Sequence, residues 1–108
     1  MPYKKVKLAE ECAIQAFGID RDYYFKFRSS HRVEIANIRQ MTYRLAKEVG
    51  RCVWRTVIEY MELKSHATCI VGVKHSKALE SYDKEYAKIY QRAKELYLAN
   101  LAEMDNNH

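Results

Sequence analysis

Basic side chains are concentrated in one segment of the chain, and their charge favours a polyanionic partner. Residues 21–55 hold nine Lys or Arg against three acids, a net charge of +6, whereas the other residues hold ten against eleven, or −1. Grouped cations of this kind neutralise the phosphates of nucleic acid. The alternative is a helix face that is only solvated, and the count does not decide between the two. The nine cations are Arg21, Lys26, Arg28, Arg32, Arg39, Arg44, Lys47, Arg51 and Arg55.

Residues that could carry out catalysis or bind a metal form no recognisable set. The three cysteines, Cys12, Cys52 and Cys69, make no close pair, and an odd number is typical of reduced, buried thiols in an intracellular chain. His66 and Cys69 have the spacing of two metal ligands, but no second pair accompanies them. No nucleophile with its base and no paired carboxylates stand out. We therefore predict a protein that is not an enzyme and that needs no metal or cofactor.

The composition favours a single all-helical domain. The chain has 108 residues, enough for one core, and 48% of them are hydrophobic. With one proline and three glycines, helices are favoured over a hairpin-rich sheet. No apolar run is long enough to span a membrane, and the N-terminus lacks the apolar core of a signal peptide. We expect residues 1–108 to form one all-α domain, a compact bundle located in the cytoplasm.

Apolar residues at helical spacing predict about six helices. Gly18 and Gly50 are natural C-terminal stops, and Asp20, Ser65 and Ser81 can cap the N-termini of the helices that follow them. The last helix is the longest. The predicted helices cover residues 4–17, a short segment through 23–25, the segment from Ser29 or Ser30 to Val49, 53–61, 65–79 and about 81–104.

The third predicted helix has two faces of different chemistry. An apolar arc runs from Ile38 to Val49 and indicates the side that faces the core. The opposite arc is basic and would be exposed to a polyanion. Its members are Arg39, Gln40, Tyr43, Arg44 and Lys47.

The fourth and fifth helices have the outline of a helix-turn-helix. Residues 62–64 form a short turn between the apolar helix 53–61 and Ser65. Any helical hairpin has a similar pattern, and the turn lacks the glycine often found there.

Two motifs at matching spacing resemble the C-terminal DNA-binding domain of the bacterial replication initiator DnaA. RQMTYRLAKEVG (39–50) is similar to the family pattern PRQ-apolar-A-apolar-x-LA(K/R)EL, and KSHATCIVGV (64–73) is similar to its RDHTTVxHA motif. Upstream, AFGIDRDYY resembles the family's YxI-x-x-x-D-L-L stretch. The resemblance covers about residues 10–80. It implies a Trp-repressor-like helical bundle that reads duplex DNA in replication or transcription control. The chain lacks a G-x-x-x-x-G-K-S/T loop, so we expect no nucleotide binding.

The resemblance also implies roles for individual residues. The helix that starts at the second motif would enter the major groove, with Ser65 at the family's Asp position and Ala67 at its first Thr. Base contacts are expected from Arg55, Lys64, Ser65, His66 and Ala67. Phosphate contacts are expected from Arg39, Gln40, Arg44, Lys47 and Thr68. A minor-groove contact is expected from His31 or Arg32.

A protein-interaction module is the second interpretation. Tyrosines of the last predicted helix recur three or four residues apart, which indicates either an intramolecular packing face or a surface for a partner or a second copy. Salt-sensitive binding to random duplex DNA would separate this interpretation from DNA recognition. The stripe consists of Tyr82, Tyr86, Tyr90, Ala93, Tyr97 and Leu101.

Overall fold

The computed structural model describes residues 2–106, and all the regular structure within them is helical. The predicted all-α class and the number of helices are confirmed. The third helix continues into a π-helical turn, Leu45–Val49. The α-helices are α1 (Lys4–Phe17), α2 (Arg21–Lys26), α3 (Val33–Arg44), α4 (Trp54–Met61), α5 (His66–Tyr82) and α6 (Lys84–Asn106). None of these described helices is both long and apolar enough to cross a bilayer.

Several helix ends fall at the predicted capping residues. Gly18 ends α1 in the left-handed conformation, with φ 70°, which costs glycine nothing because it has no Cβ. The side chain of Asp20 accepts a hydrogen bond from the backbone N–H of Tyr23 at 3.0 Å and so caps α2. Ser65 directly precedes α5 in an extended conformation. These signals are local, which is why the sequence predicts them.

The predicted start of the third helix is wrong. α3 begins at Val33, after Arg32, and not after Ser29 or Ser30. The guanidinium of Arg39 explains the difference, because its Nη1 donates to the carbonyl oxygen of Ser30 at 2.9 Å. A carbonyl held in this way keeps the preceding residues in a loop rather than in a helix.

The boundary between the last two helices lies at Asp83 and not at Ser81. Oδ1 of Asp83 accepts from the backbone N–H of Tyr86 at 3.1 Å, which is the hydrogen bond of an N-cap. The hydroxyl of Ser81 donates instead to the carbonyl of Ala78, within α5. α5 therefore extends three residues beyond its predicted end at Leu79.

The core is built around α1, which packs against α3, α4 and α6, while α5 packs against α3, α4 and α6. The apolar arc predicted for the third helix is buried at every position from Ile38 to Ala46, and Val49 is partly buried. The fully buried apolar side chains of the three central helices include Val6, Ala9, Ala13, Ile35, Ile38, Met41, Ala93 and Tyr97.

The tyrosine stripe of α6 is an intramolecular packing face. Tyr86, Tyr90 and Tyr97 are buried, and the hydroxyl of Tyr97 donates to the carbonyl of Lys5 at 2.9 Å, which ties the two ends of the fold together. Only Tyr82, at the end of α5, is largely exposed. Of the two alternatives, the buried members of the stripe form the intramolecular packing face.

Candidate nucleic-acid interface

The connection between α4 and α5 leaves the start of α5 exposed. Glu62 ends α4 in the left-handed conformation, with φ 57° and ψ 47°. The backbone N–H of Leu63 donates to the carbonyl of Ile58 at 3.0 Å, which closes the end of α4. The turn thus forms without a glycine, and Glu62 bears the conformational cost. The predicted pair of helices joined by a short turn corresponds to α4 and α5.

The first turn of α5 can accept an anion. Ser65 makes no side-chain capping hydrogen bond within the described residues, and the turn contains no acid. The unpaired N–H groups and the positive end of the helix dipole both favour negative charge there. The predicted base-reading residues Lys64, Ser65, His66 and Ala67 lie together on this turn, and they and Thr68 are exposed.

A cleft of about 430 Å³ separates this turn from the loop that precedes α3. Three parts of the chain contribute to it: the loop after α2, the middle of α3, and the α4–α5 turn. We call it the basic cleft, because Arg28, Arg39 and Lys64 line it together with a single acid, Glu62. Its principal lining residues are Arg28, His31, Arg39, Tyr43, Lys64 and Thr68.

A second concavity, of about 400 Å³, continues from the basic cleft along α5. It shares Arg39, Tyr43 and Thr68 with the basic cleft, and it adds Gln40 and Val71. The two concavities therefore lie next to each other beside the exposed start of α5, and we call them together the trough. Of the predicted phosphate contacts, this trough brings together Arg39, Gln40 and Thr68.

Arg39 has a structural role as well as a position in the trough. Its Nη1 donates to the carbonyls of Arg28 at 2.7 Å and Ser30 at 2.9 Å, so it fastens the loop before α3 to α3 itself. Tyr43 lies beside it. Burial raises the pKa of Tyr43, although the nearby Arg39 charge acts in the opposite direction. The phenol stays protonated at neutral pH, so it can donate a hydrogen bond.

A buried carboxylate positions Arg28 at the edge of the basic cleft. Glu10 on α1 is fully buried and accepts from the hydroxyl of Tyr24 at 2.6 Å and from Nε of Arg28 at 2.7 Å. The hydroxyl of Tyr60 on α4 donates to the same carboxylate at 3.1 Å. Burial, reinforced by Glu10, raises the pKa of Tyr60 to about 12. The network joins α1, α2, α4 and the loop that lines the cleft.

Glu10 is a functional neighbour of the cleft that the sequence pattern could have indicated. Glu10 lies one helical turn after Val6 and just before Ala13, within the arc that α1 buries. A charged residue on an apolar arc indicates a buried, paired group. The pairing of Arg28 with Glu10 has no sequence signal, because the two residues are 18 positions apart.

The prediction that α3 presents an exposed basic face is wrong at Arg44. Its side chain is buried, with Nη2 2.5 Å from Glu80 and Nε 3.4 Å from Glu48. The guanidinium carbon lies 3.7 Å from the centre of the Tyr90 ring. Arg44 therefore joins α3 to α5 and α6, and it is not placed to contact a phosphate. Tyr43, predicted on the same face, is also buried because α5 packs over it.

Three other predicted contacts lie outside the trough. Nζ of Lys47 lies over the ring of Trp54, 5.1 Å from its centre. Arg55 is exposed on α4 and pairs with Glu59 at 3.1 Å. Arg32 lies over an aromatic ring of the preceding loop, 4.1 Å from its centre. Of the two minor-groove candidates, His31 lines the basic cleft.

The cysteines are buried thiols, as predicted, and they do not line the trough. Burial raises the pKa of both Cys12 and Cys69 to about 11. His66 is exposed while Cys69 is fully buried. Within residues 2–106, no three His, Cys, Asp or Glu side chains are grouped to hold a metal ion.

No protein-family model, curated protein or solved structure matches the chain. The resemblance to the DNA-binding domain of DnaA therefore stays a prediction from the sequence. What the chain does must be argued from the geometry of α5 and the trough.

Proposed function

We propose that this protein binds duplex DNA by placing the start of α5 in the major groove. The observation that carries the proposal is the combination of an exposed, acid-free helix N-terminus with the basic cleft beside it. Bases are read by side chains on a helix in the groove, and cations at its sides contact the phosphates. In this arrangement Ser65, His66 and Ala67 face the bases.

The dimensions of α5 suit this role. It has 17 residues and is exposed along one side for its whole length. A helix with its side chains is about 10–12 Å across, close to the width of about 12 Å of the major groove. Lys64 and Arg39 both line the basic cleft beside α5, where a DNA strand would pass. We therefore assign Lys64 a phosphate contact in place of the base contact expected from the sequence. Thr68 can add a hydroxyl donor to the same phosphate.

The charge of α5 favours an anionic partner such as nucleic acid over a neutral or basic one. Residues 63–79 contain Lys64, Lys74 and Lys77 and no Asp or Glu, and of the three lysines Lys77 pairs with Glu48 at 2.6 Å. The protein-interaction interpretation loses its main surface, because the tyrosines of α6 are buried. A role in replication or transcription control follows from the DNA proposal only through the resemblance.

Salt dependence of binding to a random duplex pool tests the proposal. Lys64→Ala should weaken binding to all duplexes and lower the slope of log affinity against log salt by about one unit, because one phosphate contact is lost. Arg92→Ala is the matched control, since it removes the same charge from an exposed position on α6. It should leave the slope unchanged.

Arg39→Ala should lower the slope as well, and it should also loosen the loop that its side chain holds. Absence of duplex binding at low salt would contradict the proposal. Equal effects of the Lys64 and Arg92 variants would contradict the placement of the DNA on the basic cleft.

A further inference from the structure

The middle of the exposed side of α5 is apolar. Ala67, Val71 and Ala78 follow one another at helical spacing on the side opposite buried Ser76, and Ile70 lies next to them. Val71 is 63% exposed and Ile70 is 42% exposed. Large apolar side chains grouped beside a candidate binding site indicate a contact surface. We call Ala67, Ile70 and Val71 the apolar strip.

The charges around the apolar strip indicate what kind of partner could bind to it. Lys64 precedes the strip and Lys74 follows it, and no acid occurs between residues 63 and 79. A symmetric dimer through this face would bring Lys74 of two copies together without a compensating acid. Duplex DNA matches the face better, because phosphates border the major groove and the C5-methyl groups of thymine lie within it.

We propose that the apolar strip recognises thymine C5-methyl groups, so that the preferred sites contain A·T pairs opposite the middle of α5. This inference rests on the proposed DNA binding and adds a second source of specificity to the polar residues Ser65 and His66. Ala67 and Val71 are separated by about 6 Å along the helix axis, at 1.5 Å per residue. That distance spans about two base-pair steps of 3.4 Å. The two ends of the strip therefore contact base pairs about two steps apart.

Replacing thymine by uracil tests the inference, because only the C5-methyl group is removed and pairing and phosphate charge are kept. The site is first obtained by selection from a random duplex pool, and each thymine is then replaced in turn. The wild-type protein should bind about three- to fivefold more weakly for each contacted methyl group lost.

Variants of the strip identify the side chains responsible. Val71→Ala and Ile70→Ala should bind the uracil duplex as the wild type does and should lose the preference for thymine. Both side chains are exposed, so the variants keep the core intact, and circular dichroism verifies this. Val71→Thr, which keeps one methyl group, should retain part of the preference. Leu98→Ala is the control, because it truncates a residue on α6 that is 49% exposed, and it should keep the full preference.

The outcomes separate this inference from the proposed function. Salt-dependent duplex binding with equal affinity for thymine and uracil at every position overturns the inference and leaves DNA binding intact. Failure to bind any duplex overturns both. A wild-type dimer in sedimentation that Val71→Asp dissociates would assign the strip to a second copy and overturn the inference.

Discussion

Replacing Glu10 by alanine should lower the free energy of unfolding by about 3–5 kcal/mol, the cost of removing one partner of a buried ion pair. The Glu10 carboxylate is fully buried and accepts hydrogen bonds from Tyr24, Arg28 and Tyr60. Its loss leaves the Arg28 guanidinium, which is 24% exposed, without its carboxylate. It also leaves the buried Tyr24 hydroxyl without an acceptor, which by itself costs about 1–3 kcal/mol. These contributions overlap, so they are not summed.

The adjacent residue supplies a matched control. Glu11 also pairs with an arginine, Arg21, at 2.8 Å, but the two side chains are 31% and 58% exposed. A surface pair of this kind contributes about 0–1 kcal/mol. Glu11→Ala removes the same charge from the same helix, so the difference between the two variants isolates the effect of burial.

Urea denaturation of the two variants and the wild type measures this difference. The m-values should agree, because the surface exposed on unfolding is nearly the same. Glu10→Gln keeps the shape and one acceptor oxygen, so it should fall between the wild type and Glu10→Ala. If Glu10→Ala and Glu11→Ala were equally stable within about 1 kcal/mol, the network would not stabilise the fold and the reasoning would be refuted.

Three further predictions concern the interface and α6. Glu62→Gly should stabilise the protein by about 1 kcal/mol in urea denaturation, because glycine adopts the left-handed conformation without strain, whereas Glu62→Ala should give no such gain. Gly72→Ala should destabilise the protein by up to about 2 kcal/mol in the same assay, because the new Cβ would lie 2.8 Å from the Tyr43 ring. The cost of this clash should exceed the gain from the better helix propensity of alanine. A variant as stable as the wild type would show that α5 can move away from α3. Deleting residues 82–108 should lower the melting temperature more than it changes DNA preference, and unchanged melting with lost DNA binding would contradict this.

The helix positions could be predicted because their signals are local. Gly18 and Asp20 act on their own backbone neighbours, and the structure places helix ends at both. The start of α3 depends on Arg39, a residue within α3 whose side chain reaches back to the preceding loop. The boundary at Asp83 depends on a choice between two capping residues of similar propensity. Hydrogen bonds of individual side chains decide both boundaries, and residue propensity alone does not predict which of these bonds forms.

For α3, the sequence predicts which residues face the core, but it does not predict which of the remaining residues are exposed. A helix that is packed on one side has a single apolar arc, but α3 is covered by α1 on one side and by α5 on another. Helix α5 packs over Tyr43, and both α5 and α6 contact the side chain of Arg44. An arginine can be buried when carboxylates and an aromatic ring replace its water, so a basic residue on the polar arc need not be exposed.

The net charge of residues 21–55 overstates the positive charge that the folded chain presents to a partner. Four arginines of that segment pair with acids that lie outside it: Arg21 with Glu11, Arg28 with Glu10, Arg44 with Glu80 and Arg55 with Glu59. The excess of +6 is therefore not the charge of a surface.

An anionic partner would contact cations that lie beside the start of α5 and have no carboxylate partner of their own. Among the described residues, Arg39 and Lys64 meet this condition, with no carboxylate within 4.0 Å and with both lining the basic cleft. Lys64 lies outside the segment that the charge count singles out. Position relative to α5, rather than net charge, thus supports DNA as the partner. For this reason we expect a Lys64 variant to show a loss of phosphate contact that an equal change of charge on α6 does not show.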